Sequence, residues 1–203
     1  MFLPHHQIDY EALCSLSPPT GIQGLVSFLR EQLPQKWQDV YSATTSHATN
    51  IVRYEFRTFT YLFDQYSGLE AMGDVPFDQT IQDRVVGVLG TSAPARRART
   101  GRRRSWGDPP EELVGSERDK GHFMAHAIGG GLEVNVFSQE RDLNRGWSAQ
   151  GRTYREMERY CYTHPGTFCF TCPVYEDGTA VPRWLEFGLV REDGSLWVEV
   201  FDN

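Results

Sequence analysis

The spacing of apolar residues changes period near residue 50. Before it, Ile22, Leu25, Val26, Leu29 and Leu33 fall at i, i+3, i+4, i+7 and i+11, the stripe of an amphipathic helix. Pro34 is expected to end that helix, since proline has no N–H to donate and crowds the preceding turn. A second short helix is expected over residues 35–46. From Ile51 the period is two: Val52, Tyr54 and Phe56 alternate with Arg53, Glu55 and Arg57, as in a half-buried strand. This strand is expected to continue through the apolar run Phe59 to Phe63 toward a turn at Tyr66-Ser67-Gly68. Further on, a strand should end at His122, a helical region should begin near Asn144, and residues 154–160 should be helix. Strands are expected over 167–175, 183–191 and 195–201, around the Asp177-Gly178 and Asp193-Gly194 turns. Residues 91–110 are rich in Arg, Gly and Pro without any period, which predicts a long mobile loop. No internal repeat is visible. The order predicts an α+β fold, with a helical N-terminal segment over residues 1–50 and an antiparallel sheet domain over 51–203.

One stretch of that domain carries candidate chemistry. Asp119-Lys120-Gly121-His122 is followed by Asn135-Val136-Phe137-Ser138-Gln139 and then by Leu143-Asn144-Arg145-Gly146-Trp147. A histidine titrates near neutral pH and can take a proton from water. An asparagine offers a neutral oxygen to a hard cation such as Mg²⁺, leaving most of the ion's shell to water and phosphate. A lone Gly-His or a lone Asn carries no such meaning; the ordered set does.

The set resembles the DNA/RNA non-specific endonucleases of the ββα-metal (His-Me finger) fold. The matching runs are Asp119-Lys-Gly-His122, Asn135-x-x-x-Gln139, Asn144-Arg-Gly146 and Tyr154-Arg-Glu-Met157-Glu158, and the resemblance spans roughly residues 50–200. It is closest to the toxin-type branch of bacterial polymorphic toxins and effectors, as the glycines at 129–131 and the upstream Arg84-Val-Val-Gly87 suggest. The resemblance implies His122 as general base, Asn144 as protein ligand of Mg²⁺ with Mn²⁺ able to substitute, and Glu158 orienting the ion's waters. It also implies Asn135 fixing the loop or the phosphate. Lys120, Arg145 and Arg155 would supply positive charge to the scissile phosphate. Lys120 stands where the family has Arg, which keeps the charge and loses the bidentate fork. Residues 147–151 look inserted before the glutamate helix, so Glu156 competes with Glu158 for the acidic role. The implied substrate is DNA, with RNA open, and the implied partner is a cognate immunity protein.

Composition changes this picture little. With 39% hydrophobic and 13% aromatic residues among 203, the chain can bury a core. No apolar run approaches the ~18 residues that span a bilayer, so no membrane association is expected. Met1-Phe-Leu-Pro-His-His lacks the basic and apolar regions of a Sec signal. The expectation is a protein made in the cytoplasm and delivered to another cell, if at all, by a secretion system. A net charge of −7 is unusual for a nucleic-acid binder, but Arg96, Arg97, Arg99, Arg102, Arg103 and Arg104 are concentrated in one stretch. Such a patch grips phosphates without reading sequence; a solvated linker is the equally open alternative.

Two metal motifs are set aside. His122-x-x-x-His126 has helical zinc spacing, but Phe123 stands where a catalytic Glu would be and flanking glycines oppose a helix. Cys161, His164, Cys169 and Cys172 have zinc-like spacing, yet the odd separation of Cys169 and Cys172 in a strand sends them to opposite faces. Cys14 adds nothing to either. A structural zinc is therefore disfavoured, and buried cysteine is read as a small apolar residue. Two rival functions stay open: a non-catalytic nucleic-acid-binding domain and a zinc-stabilised adaptor.

Overall fold

The computed structural model describes residues 8–15, 20–94, 117–131 and 134–203. Its centre is a six-stranded antiparallel sheet in the order β1-β2-β3-β6-β7-β8. These strands are β1 (Ile51–Phe56), β2 (Phe59–Asp64), β3 (Arg84–Thr91), β6 (Phe168–Val174), β7 (Trp184–Val190) and β8 (Leu196–Asp202). A separate hairpin pairs β4 (Arg118–His122) with β5 (Val136–Glu140). The helices are α1 (Tyr10–Ser15), α2 (Gly21–Thr44), α3 (Tyr66–Met72), α4 (Arg141–Arg145) and α5 (Ala149–Thr163). The fold is α+β.

Each face of the sheet is covered, which explains why β2 and β6 read as continuous apolar runs. Successive side chains of a strand alternate between faces. Phe59, Tyr61, Phe63, Cys169, Leu185, Phe187 and Leu189 point to one side, where they meet Phe123, Met124 and Phe137 from the β4–β5 region and Tyr154, Met157 and Cys161 from α5. Leu62, Leu89, Phe168, Phe170, Cys172 and Val190 point to the other, against Leu25, Leu29, Leu33, Trp37 and Tyr41 of α2. Tyr10 of α1 donates to the buried Glu186 of β7 at 2.6 Å. The N-terminal helices therefore form one layer of this fold, and the β4–β5 hairpin with α4 and α5 forms the opposite one.

Three local expectations are corrected. Pro34 does not end a helix: α2 runs for 24 residues with Pro34 inside it, so no separate helix over 35–46 exists. An interior proline costs about 3 kcal/mol, but Leu29, Leu33, Trp37 and Tyr41 lie four residues apart on one buried stripe that spans it. Burial of such side chains at about 1.5–3 kcal/mol each outweighs the lost bond. The strand expected to run on from 51 through 63 is instead a hairpin that reverses at Arg57 and Thr58. The turn expected at residues 66–68 is the first turn of α3. Arg84 is 3% exposed on the α2 side of the sheet, stacked on Tyr175 and Tyr41 and hydrogen-bonded to the Tyr41 hydroxyl. That arginine is a core anchor remote from the hairpin layer. Of the stretch 91–110 expected as a loop, Thr91 is the end of β3, and its arginines, Arg102, Arg103 and Arg104 among them, lie outside the described residues.

Candidate active site

β4 begins the site. Asp119 and Gly121 lie on one face of this strand, and Lys120 and His122 on the other. Gly121 is dictated by packing: a Cβ there would stand 2.3 Å from Oε1 of Gln139 on β5. His122 is the last residue of the strand and is half-buried. Lys120 is exposed.

Asp119 organises the next element. Its carboxylate receives Nε and Nη2 of Arg145 at 2.5 and 3.0 Å, Nε of Arg141 at 3.2 Å and Nδ2 of Asn144 at 3.3 Å. The hydrogen bond from Arg145, aided by those from Asn144 and Arg141, holds the Asp119 carboxyl below its ordinary range despite partial burial. With Nδ2 committed to Asp119, Oδ1 is the polar atom that the Asn144 amide has left. Asp119 thus anchors Arg141, Asn144 and Arg145 of α4 to β4, a contact that its place at the head of the Asp119–His122 run does not by itself announce. An acid at an odd spacing from the histidine was the available signal.

α4 is nucleated by Glu140, whose carboxylate accepts the amides of Asp142 and Leu143, and it ends at Gly146. Ser148 then caps α5 through the amide of Gly151. Residues 149–151, which looked inserted, are the first turn of α5. Gly151 is needed there because a Cβ would stand 2.3 Å from the Asp142 carbonyl oxygen, so the two helices touch backbone to backbone.

The helix thus starts five residues before Tyr154. Its inward face carries Tyr154, Met157 and Cys161, all buried. The Tyr154 hydroxyl reaches the carbonyl of His122 at 3.3 Å, tying α5 to the end of β4. One turn further, the Glu158 side chain is 14% exposed and is met by Nη1 of Arg155 at 2.8 Å. Burial pushes the Glu158 carboxyl above its ordinary range, and Arg155 opposes that shift. Glu156 is exposed.

Asn135, Arg145 and Arg155 each have partners within the fold. Asn135 is fully buried; its Oδ1 accepts the Met124 amide at 2.8 Å, and its Nδ2 donates to the Met124 and Gly131 carbonyls at 2.6 Å each. Of the two roles considered for it, these bonds serve loop fixing. The guanidinium fork of Arg145 is occupied by Asp119 and stacks 4.9 Å from the Trp147 ring. Arg155 is the counter-charge of Glu158. Asn135→Ala should therefore lower stability by roughly 2–4 kcal/mol, since three backbone groups lose their partner, and leave the metal requirement of any remaining activity unchanged. Chemical denaturation and a metal titration together check this.

The cysteine set does not converge. Cys161 and Cys169 share the hairpin side of the sheet and Cys172 the α2 side. The His164 ring stacks on Tyr160 with centroids 4.2 Å apart. His126 sits in a 3-10 turn over His126–Ile128. Among the described residues no three His, Cys, Asp or Glu side chains group around a metal position. A groove of about 710 Å³ lies at the start of α2, lined by Val26, Arg30, His164 and Arg191 among others, and is built from none of the site residues. No described helix is long and apolar enough to cross a membrane.

No family model matches the chain, and no curated protein matches it. Among solved structures it is similar to NucA from Streptococcus agalactiae with no metal bound, at 19% identity, with a TM-score of 0.44 over 83% of this chain and 89% of that one. It is similar to the same protein with a magnesium ion bound at 16% identity and TM-score 0.38, covering 78% and 74%. An extracellular endonuclease aligns at 14% identity and TM-score 0.33, covering 77% and 70%.

Proposed function

We propose that the chain is a metal-dependent endonuclease that hydrolyses phosphodiester bonds of DNA, and of RNA as a second substrate, with little sequence preference. The observation that carries this reading is the joint at the end of β4. There Asp119 orients the Asn144 amide, and Tyr154 ties the His122 backbone to the helix that buries Glu158. The donor types suit a hard cation: Asn144 Oδ1 would hold an ion such as Mg²⁺, which retains most of its waters, and the Glu158 carboxylate would orient those waters. Manganese would share the site. When bound, the ion stabilises the charge that builds on the phosphoryl and leaving oxygens. His122 takes the proton of the attacking water. Lys120, exposed on the same strand face as His122, attracts the phosphate as a point charge.

The narrower reading, an antibacterial toxin or effector restrained by an immunity protein, rests on the resemblance of the Asp119–His122 run and the glycines at 129–131. Production in a bacterial cytoplasm should then degrade the host chromosome, and co-production of the adjacent gene's product should prevent it. For the metal, Asn144→Ala should raise the Mg²⁺ concentration giving half-maximal plasmid nicking and depress the maximum rate. The variant should melt within a few degrees of the parent, because Asn144 contributes one hydrogen bond at 3.3 Å. Unchanged metal dependence in that titration would move the ligand elsewhere, with His126 next.

A further inference from the structure

A turn that favours glycine is filled here by arginine. β1 and β2 pair from Ile51↔Asp64 to Phe56↔Phe59, leaving only Arg57 and Thr58 to reverse the chain. Arg57 takes a φ of 56°, and it is the sole non-glycine residue with positive φ among the described residues. Glycine or asparagine forms such turns at lower cost. The Arg57 guanidinium makes no ion pair with a described residue and lies 5.2 Å from the Phe56 ring centroid. Strain kept at an exposed position points to a use for the side chain itself.

The neighbouring rings share that exposure. Tyr54 is 40% and Phe56 37% exposed. The register pairs Tyr54 with Tyr61 and Phe56 with Phe59, so both rings lie on the sheet face that the hairpin layer covers further in. β1 is one of the two edge strands of the sheet, and both rings stand at its margin. This margin adjoins the loop that follows His122. A Cβ on Gly131 would stand 3.0 Å from the Phe56 ring, and the Gly131 amide donates to the Tyr61 hydroxyl at 3.2 Å. Asn135 bonds the Gly131 carbonyl to Met124, two residues beyond His122. Arg53 pairs with Glu55 at 2.7 Å and, as the partner of Leu62, points to the opposite face. Arg57 is therefore the hairpin's cation on this side.

We propose that Tyr54, Phe56 and Arg57 form a ledge on which unpaired bases of a single-stranded nucleic acid stack as the strand leads to the His122 site. The inference rests on the nuclease reading and adds the form of substrate. Aromatic faces accept any base, and a cation beside them neutralises a backbone phosphate. Duplex bases, stacked on one another, have no free face to offer. Two half-exposed rings are far less than the ~800 Å² per partner that a stable protein interface buries, which sets a protein occupant aside.

The test uses the full chain carrying His122→Ala, in EDTA, titrated with a fluorescein-labelled single-stranded oligonucleotide and with the duplex of the same sequence. Phe56→Leu and Tyr54→Leu, which keep apolar bulk, should each weaken single-strand binding roughly 5- to 100-fold and duplex binding no more than about twofold. Arg57→Gly should lower the slope of log affinity against log salt by about 0.7 while keeping the melting temperature, because glycine tolerates this turn. Single-strand affinity equal to the parent's in the ring variants would overturn the ledge, even if the His122-intact chain nicks plasmid. Equal losses on single strand and duplex would overturn it too. A parent chain that neither binds single strands nor nicks DNA would overturn both the ledge and the nuclease reading.

Discussion

His122→Ala lowers the rate of plasmid nicking by roughly two to four decades, the usual contribution of a general base. The fold should survive the change. The half-buried ring stands at a strand end, and the bond that anchors this position to α5 goes to its backbone carbonyl, which alanine retains. Circular dichroism and thermal melting, run beside the cleavage assay, separate lost chemistry from lost structure. A folded variant that cuts at the parent's rate would remove His122 from the mechanism.

The second large effect is expected at Glu158. Glu158→Gln should cripple cleavage, because a neutral amide no longer draws on a hydrated cation, whereas Glu156→Gln should change it less than a few-fold. Their surroundings differ as the roles require: Glu158 is 14% exposed beside Met157 and Tyr154, and Glu156 faces solvent. Stability should move the other way. The Glu158 carboxyl has a folded pKa raised by burial. It therefore contributes stability below its unfolded pKa of about 4.3 that is lost as pH rises through the folded value. Glutamine removes the cost of ionising that buried carboxyl. Glu158→Gln should thus melt no lower than the parent at pH 7, with any advantage shrinking toward pH 4. Reversed effects of the two glutamate substitutions on cleavage would mean that the acidic role belongs to Glu156.

Much of this layout was legible in the chain because it depends on period and on short-range chemistry. The strands around the Asp177-Gly178 and Asp193-Gly194 turns fall within a residue or two of their expected bounds, since alternation and turn residues fix both ends. The helix over residues 154–160 was legible in the sequence, even though α5 begins five residues earlier than expected. Its start was obscured because Ser148 is a weak signal without an apolar stripe behind it. Other features depend on contacts distant in sequence. Pro34 reads as a helix end unless the sheet that holds Leu33 and Trp37 is known. The Arg57-Thr58 reversal lacks glycine and asparagine, so nothing local marks it. An amphipathic stripe on α2 announces a partner surface but not which sheet face supplies it. At the site, residue types suggested a charged set, while the pairing of Arg145 with Asp119 and of Arg155 with Glu158 required the folded chain.

The central claim is that this chain cuts phosphodiester bonds with the help of a divalent ion. Purified parent protein incubated with supercoiled plasmid should convert it to nicked and then linear forms in Mg²⁺ or Mn²⁺, and EDTA should stop the conversion at once. Plasmid that stays supercoiled in both metals, with protein shown to be folded, would contradict the account.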